Sequence, residues 1–294
     1  MASNLTAAVE CQVLPGWAIP VGIVMGVFGS IGINIGQNLQ ADGIAALPEE
    51  KRGSPAGSPK WRMGMAVFIA FSLVNFAASA LAPLSVLMPI ESVQFPTNVA
   101  YNKFVNKAPV SSRMLVGVAL SLVGTVLSVV FGAQGDDCMS VQQLEALWLG
   151  VPWLIYFTLS LAIAAVAFVW HFQLVKRSSK RGDSSTGVLR PVLFTLSSAL
   201  AGGAQMIVHS KAFSTLLSLL FQGDTTVFTA SYILYLELAL VVLCGIIWVF
   251  RQTQGLSLYN PLVILPLLVG VYILFGGIAG GIFYNEVRER RGTA

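Results

Sequence analysis

Charge is what this sequence has least of. Of its 294 residues only 10% are charged, against 55% hydrophobic, and the mean hydropathy is +0.77. A soluble domain carries roughly a quarter charged residues, so this chain lacks the polar surface to cover itself in water. Histidine (two) and cysteine (three) are also scarce. Cys11, Cys138 and Cys244 fit no zinc or redox spacing. P-loop, H-E-x-x-H and C-x-x-C patterns are missing, and two histidines among apolar runs are thin material for catalysis. The chain is therefore not expected to be an enzyme or to need a cofactor. Residues Met1–Glu10 lack a basic region, so no cleaved signal peptide is expected.

What the chain has is long apolar runs, at roughly 17–39, 63–87, 89–105, 113–133, 147–175, 190–221, 227–250 and 258–285. Period-two alternation is missing, and lipid leaves no way to satisfy an open sheet edge. The expectation is an all-α polytopic membrane protein with about eight transmembrane helices. It forms a single transmembrane domain over 1–294, with half-repeats at roughly 17–133 and 147–285.

The basic residues sit in short loops, which is a membrane-orientation pattern, so no nucleic-acid partner is expected. With the N-terminus outward (exoplasmic or lumenal), the inner loops hold Lys51, Arg52, Lys60, Arg62, Lys103, Lys107, Arg113, Lys176, Arg177, Lys180, Arg181, Arg190 and Arg251. The outer Asp136-Asp137 loop is acidic. The exception is the basic tail at Arg288, Arg290 and Arg291, which eight helices leave outside. A ninth helix missing at the C-terminus is one reading. The host membrane is the plasma membrane or an endomembrane, and a homo-oligomer is possible.

Gly22, Gly26, Gly29, Gly32 and Gly36 form one stripe along the first helix, where another backbone can approach closely. Gly277 and Gly281 make a shorter strip in the last. Prolines punctuate both halves alike, Pro83 and Pro89 in A-P-L-S-V-L-M-P, Pro261 and Pro266 in N-P-L-V-I-L-P. Matched interruptions of this kind point to an inverted-repeat transporter.

A charge inside a membrane helix costs about 2.5–3.5 kcal/mol even on lenient insertion scales, so each needs a partner or a task. Glu91 follows Pro89 near the start of the third run. It reads either as a helix-start carboxylate favoured by the dipole or as a cation ligand. Asn75 offers an amide oxygen or an interhelical tether. Glu237, in Y-I-L-Y-L-E-L-A-L, reads as a partner of Lys211 or as a proton or cation site. His209 is read as packing.

Several segments together resemble the NIPA-type magnesium transporters of the drug/metabolite transporter superfamily. They are G-Q-N-L-Q (Gly36–Gln40), K-W-R-M-G (Lys60–Gly64), N-F-A-A-S-A-L-A-P-L-S-V-L-M-P (Asn75–Pro89), H-S-K-A-F-S (His209–Ser214), and L-S-L-Y-N-P-L-V-I-L-P with G-G-I-F-Y-N-E (Leu256–Pro266, Gly280–Glu286). The resemblance implies an inverted-repeat bundle carrying Mg²⁺ or a related divalent cation by alternating access, with the lipid bilayer and the cation as its partners. Glu91 and Asn75 would then be metal contacts, and Glu237 and Lys211 would line the path.

The chain departs from the family at Phe71-Ser72, where the family carries Gly-Glu, and at Pro89-Ile90-Glu91, where it reads Pro-Leu-Gly. One acid is lost and another gained. Thr253–Leu256 also departs from the usual Asn-x-Ala-Leu. A carrier of a small organic solute and a non-transporting scaffold are the alternatives.

Overall fold

The computed structural model describes residues 15–131, 139–181, 187–229 and 232–284. The expectations placed on Cys11, Asp136, Asp137, Cys138 and the basic C-terminal tail lie outside these residues. Among the described residues every regular element is helical. In chain order they are α1 (Ala18–Ala45), α2 (Pro59–Ser79), α3 (Leu84–Ile90), α4 (Gln94–Phe104), α5 (Ser112–Phe131), α6 (Val141–Trp148), α7 (Val151–Arg181), α8 (Leu189–Ser198), α9 (Ala204–Phe221), α10 (Thr226–Thr229), α11 (Ile233–Leu258) and α12 (Pro261–Phe283).

Among the described residues seven helical stretches are long and apolar enough to cross a membrane, as expected of a polytopic membrane protein. They include α8 and α9 as one 33-residue rod joined through a π-helical turn at Ala199–Gly203. The remaining expected crossing is different in kind. Residues 84–104 run as α3, a 3₁₀ turn at Glu91–Val93, and α4. This rod is helical throughout but carries polar side chains along α4.

Pro83, not Pro89, separates the second and third segments. α2 stops at Ser79 and Pro83 precedes α3, whereas Pro89 lies inside α3. Pro261 and Pro266 repeat the arrangement, one at the first helical position of α12 and one inside it. Proline suits a helix start because the N–H it lacks would have no partner there. Asn260 completes that start by accepting from Leu262 N at 2.9 Å.

The glycine stripe faces α2 and α3. A Cβ on Gly32 would lie 2.0 Å from the Phe71 ring, one on Gly36 2.6 Å from Phe68 N, and one on Gly22 2.9 Å from Ala82 Cβ. At Gly36 the obstacle is backbone, which no rotamer change relieves. Gly36→Ala is expected to cost about 1–3 kcal/mol by overpacking. A lowered thermal-aggregation midpoint in detergent checks this, and an unchanged midpoint would mean that α1 and α2 part easily. In α12 the expected Gly277 strip is displaced by one position. Gly277 faces open space, whereas a Cβ on Gly276 would meet Met88 Sδ at 2.7 Å and one on Gly280 would meet Leu84 at 3.1 Å. A G-x-x-x-G pattern gives the spacing of a strip but not which helical face meets a neighbour.

α5 buries no residue and turns large apolar side chains outward, as a lipid-facing helix does. α11 runs eight residues past the expected end at 250, so Arg251 is a helical residue rather than a loop one. Buried, it donates to Ser198 Oγ and Ser197 Oγ at 3.0 Å each, and its guanidinium lies 4.0 Å from the Phe194 ring centre. Those hydroxyls and the aromatic face make its burial tolerable.

Candidate functional site

α1, α2 and the 84–104 rod converge on Glu91. Its carboxylate is 7% exposed and lies at the 3₁₀ turn, seven residues into the rod. The helix-start reading therefore fails, because Pro89 does not begin a helix. Asn75 Nδ2 donates to Glu91 Oε1 at 2.6 Å, and Oε2 accepts from Gln94 Nε2 at 2.5 Å and Ser30 Oγ at 3.2 Å. Asn75 reaches Glu91 because the stripe thins α1 beside it. A Cβ on Gly29 would fall 1.8 Å from Asn75 Oδ1.

Two oxygens of this cluster, Asn75 Oδ1 and Gln94 Oε1, are buried without a hydrogen-bond partner. Leaving such a group unpaired costs about 1–3 kcal/mol. A cavity of about 90 Å³ adjoins them, lined on its polar side by Gln37, Ser72, Asn75, Glu91 and Gln94 and closed by apolar side chains including Met206 and Trp248. That is room for a few waters at about 30 Å³ each. Ser72, which stands where the resemblance places an acid, shares this cavity with Glu91.

Among the described residues no three His, Cys, Asp or Glu side chains gather into a metal-binding group. One carboxylate with neutral oxygens suits instead a hard cation that keeps part of its water shell.

Glu237 and Lys211 lie elsewhere. Glu237 is fully buried and accepts from Trp148 Nε1 at 2.7 Å. Its second hydrogen-bond partner is His209, with Nδ1 2.8 Å from Oε2, where Lys211 was expected. His209 is thus not mere packing. Its ring also stacks on Trp148 with centroids 5.2 Å apart. Lys211 Nζ donates to Ser79 O at 2.7 Å and Ala82 O at 3.2 Å. Pro83 has no N–H to give Ser79 O, so the lysine supplies that bond at the negative end of α2. Neither residue lines the Glu91 cavity. We expect Lys211→Met to loosen the α2–α3 turn at a cost of about 1–3 kcal/mol. Faster amide exchange at residues 79–84 than elsewhere in α2 would show it, and uniform exchange would refute it.

Not anticipated from the sequence is a row of amides, buried as far as Asn102 and exposed at Asn106, running from Glu91 toward Asp42. Asn38 Nδ2 donates to Asn34 Oδ1 at 3.0 Å, and Asn102 Nδ2 donates to Asn38 Oδ1 at 2.8 Å and Asn98 Oδ1 at 3.1 Å. Asn106 Nδ2 reaches Asn102 Oδ1 and Asp42 Oδ1 at 3.1 Å each. Asp42 Oδ2 meets Tyr101 OH at 3.0 Å and Lys60 Nζ at 2.8 Å. The available signal was spacing. Ser30, Asn34, Asn38 and Asp42 recur every fourth residue, as do Gln94, Asn98, Asn102 and Asn106, which places each set on one helical face.

The sequence profile of the family described as "Magnesium transporter NIPA" matches residues 18–294. The chain is 26% identical over 280 residues to "Probable magnesium transporter NIPA8" of Arabidopsis thaliana, covering 90% of this chain and 62% of that one. It is 24% identical over 266 residues to "NIPA-like protein 2" of Mus musculus, covering 90% and 66%. It is 23% identical over 266 residues to "Probable magnesium transporter NIPA9" of Arabidopsis thaliana, covering 89% and 72%. In the first two cases the chain spans under two thirds of the relative's length. No solved structure matches. With a match across nearly all of its length, and a helical bundle to fit it, the chain belongs to the NIPA magnesium transporter family.

Proposed function

We propose that this protein carries Mg²⁺ or a related divalent cation across a membrane by alternating access, and that Glu91 is the carboxylate that receives the cation. The supporting observation is the Glu91 cavity itself, in which one buried carboxylate, held by the amide N–H groups of Asn75 and Gln94, shares room for water with two residues whose amide oxygens have no partner. Mg²⁺ dehydrates reluctantly and is commonly held by one or two carboxylates through retained waters. Asn75 and Gln94 supply the neutral oxygens around it. Glu237 and Lys211 act as structural anchors, one joining α6, α9 and α11, the other joining α9 to the end of α2.

The positions of Ser72 and Glu91 favour the cation reading over an organic solute. The family acid is missing from one wall of the cavity and a carboxylate stands on another, so a negative charge is kept in the same space. A cavity of about 90 Å³ is also far below the roughly 300–1,000 Å³ of small-molecule pockets. The basic residues Lys51 and Arg52 between α1 and α2, with Lys60 and Arg62 in the first turn of α2, support an inward-facing α1–α2 loop and an outward N-terminus.

The experiment is Mg²⁺ uptake into proteoliposomes, followed with an entrapped indicator. Saturable uptake above that of empty vesicles is the expected result. Vesicles holding folded, oriented protein that take up no divalent cation would overturn the reading and favour a solute carrier or a scaffold.

A further inference from the structure

The amide row between α1 and α4 has more buried polarity than a helix contact needs. Asn34, Asn38, Asn98 and Asn102 are at most 4% exposed. Interhelical polar bonds in membranes average only about 0.6 kcal/mol, so tethering alone is a weak reason to bury four amides. A tether also needs its members paired, and here Asn98 Nδ2 and, at the Glu91 end, Gln94 Oε1 are buried without a partner.

The row has carboxylates at both ends. Glu91 sits at the cavity and Asp42 at the end nearest Lys60. From Ser30 to Asp42 is twelve residues, about 18 Å along a helix at 1.5 Å per residue, more than half of a roughly 30 Å hydrocarbon layer. Amides suit such a strip because each both donates and accepts. They can bond to one another when the helices are shut and to the water shell of an ion when the helices part. Neither state strands a charge.

We propose that the seam between α1 and α4 is the route by which a hydrated divalent cation passes between Glu91 and Asp42, and that the Asn34–Asn38–Asn102–Asn98 ladder holds it shut in the conformation described here. This rests on the magnesium reading above. Asp42 is the second carboxylate station. Its present donors, Lys60, Tyr101 and Asn106, close the mouth, and Lys60 is the one a cation displaces. The Lys60 side chain is already 46% exposed and has room to move outward.

The test separates the route from the substrate. In a background with the three native cysteines replaced, Asn98→Cys is treated in proteoliposomes with a small, permanently charged thiol reagent. Leu120→Cys on the outward face of α5 serves as the lipid-facing control. The expected result is modification of the Asn98 variant at least tenfold faster than of the control, slowed several-fold by Mg²⁺. An Asn98 variant as inert as the control overturns the route, whatever the native chain transports. Modification without protection by Mg²⁺ or another divalent cation keeps a water-filled seam but overturns it as the cation's path.

A second readout needs no buried thiol to react unaided. Asn38→Cys/Asn102→Cys, joined by a short reducible bifunctional thiol reagent, is expected to lose uptake and to regain it on reduction. Full uptake in the joined protein overturns the gate. A native chain that moves no Mg²⁺ while Asn98→Cys still reacts would refute the magnesium reading alone.

Discussion

Glu91→Gln is expected to lower Mg²⁺ uptake by on the order of a hundredfold while leaving the protein folded. The substitution keeps the size of the side chain and removes the charge, and its new NH2 group is accepted once the Asn75 amide, whose oxygen has no other partner, turns over. Two unit charges 4 Å apart interact by about 4 kcal/mol at an effective dielectric of 20, and a divalent ion doubles that. Retained waters and the cost of desolvating the carboxylate offset part of it, and a net 2.7 kcal/mol is already about a hundredfold. The informative companion is Ser72→Glu/Glu91→Gln. If the requirement is a negative charge in this cavity, the double variant should recover uptake to within about tenfold of the native rate. Recovery would make the two positions interchangeable walls of one site. No recovery, in a protein that still elutes as a single species, would mean that the geometry around Glu91 matters and that charge alone is not enough. Native uptake by Glu91→Gln would remove Glu91 from the path.

The second large effect is on stability. Glu237→Ala should cost about 3–5 kcal/mol, because it strips a fully buried acceptor from both Trp148 Nε1 and His209 and leaves those donors without a partner. Such a loss would lower the thermal midpoint sharply and reduce expression. Glu237→Gln keeps an acceptor and should cost less. Replacing both members of the pair, Glu237→Leu with His209→Phe, should recover part of the loss, since no lone polar group is left behind. An additive double variant would instead mean that the two residues act separately. The pair joins α9 to α11 and, through Trp148, to α6. Its loss should therefore be felt across the second half of the chain, including the α9 and α11 side chains Met206 and Trp248 that close the Glu91 cavity.

Much of this molecule is written in its sequence, because the bilayer leaves few choices. A chain with 10% charge and repeated apolar runs must be helical and multi-spanning. The glycine stripe was also legible, since residues three and four apart share a helical face and only a backbone or a flat side chain can lie on such a strip. Glu91 and Asn75 drew attention for the same reason, as polar groups that lipid does not tolerate without a partner.

What the sequence left open was who the partners are. Ser30 and Glu91 are 61 residues apart, Gln37 and Gln252 215 apart, and Trp148 and Glu237 89 apart. No local period encodes those meetings. Lys211 looked like the natural mate for Glu237 by charge alone, but Pro83 had freed a carbonyl that needed a donor, and His209 lay on the face that meets α11. The ladder shows the same division. Its fourfold spacing was present on α1 and α4 separately, as a pattern indistinguishable from scattered amides. Only packing of one helix on the other turned two rows of asparagine into a connected strip, because a side-chain hydrogen bond is decided at about 3 Å and two helices acquire such a distance only when they pack.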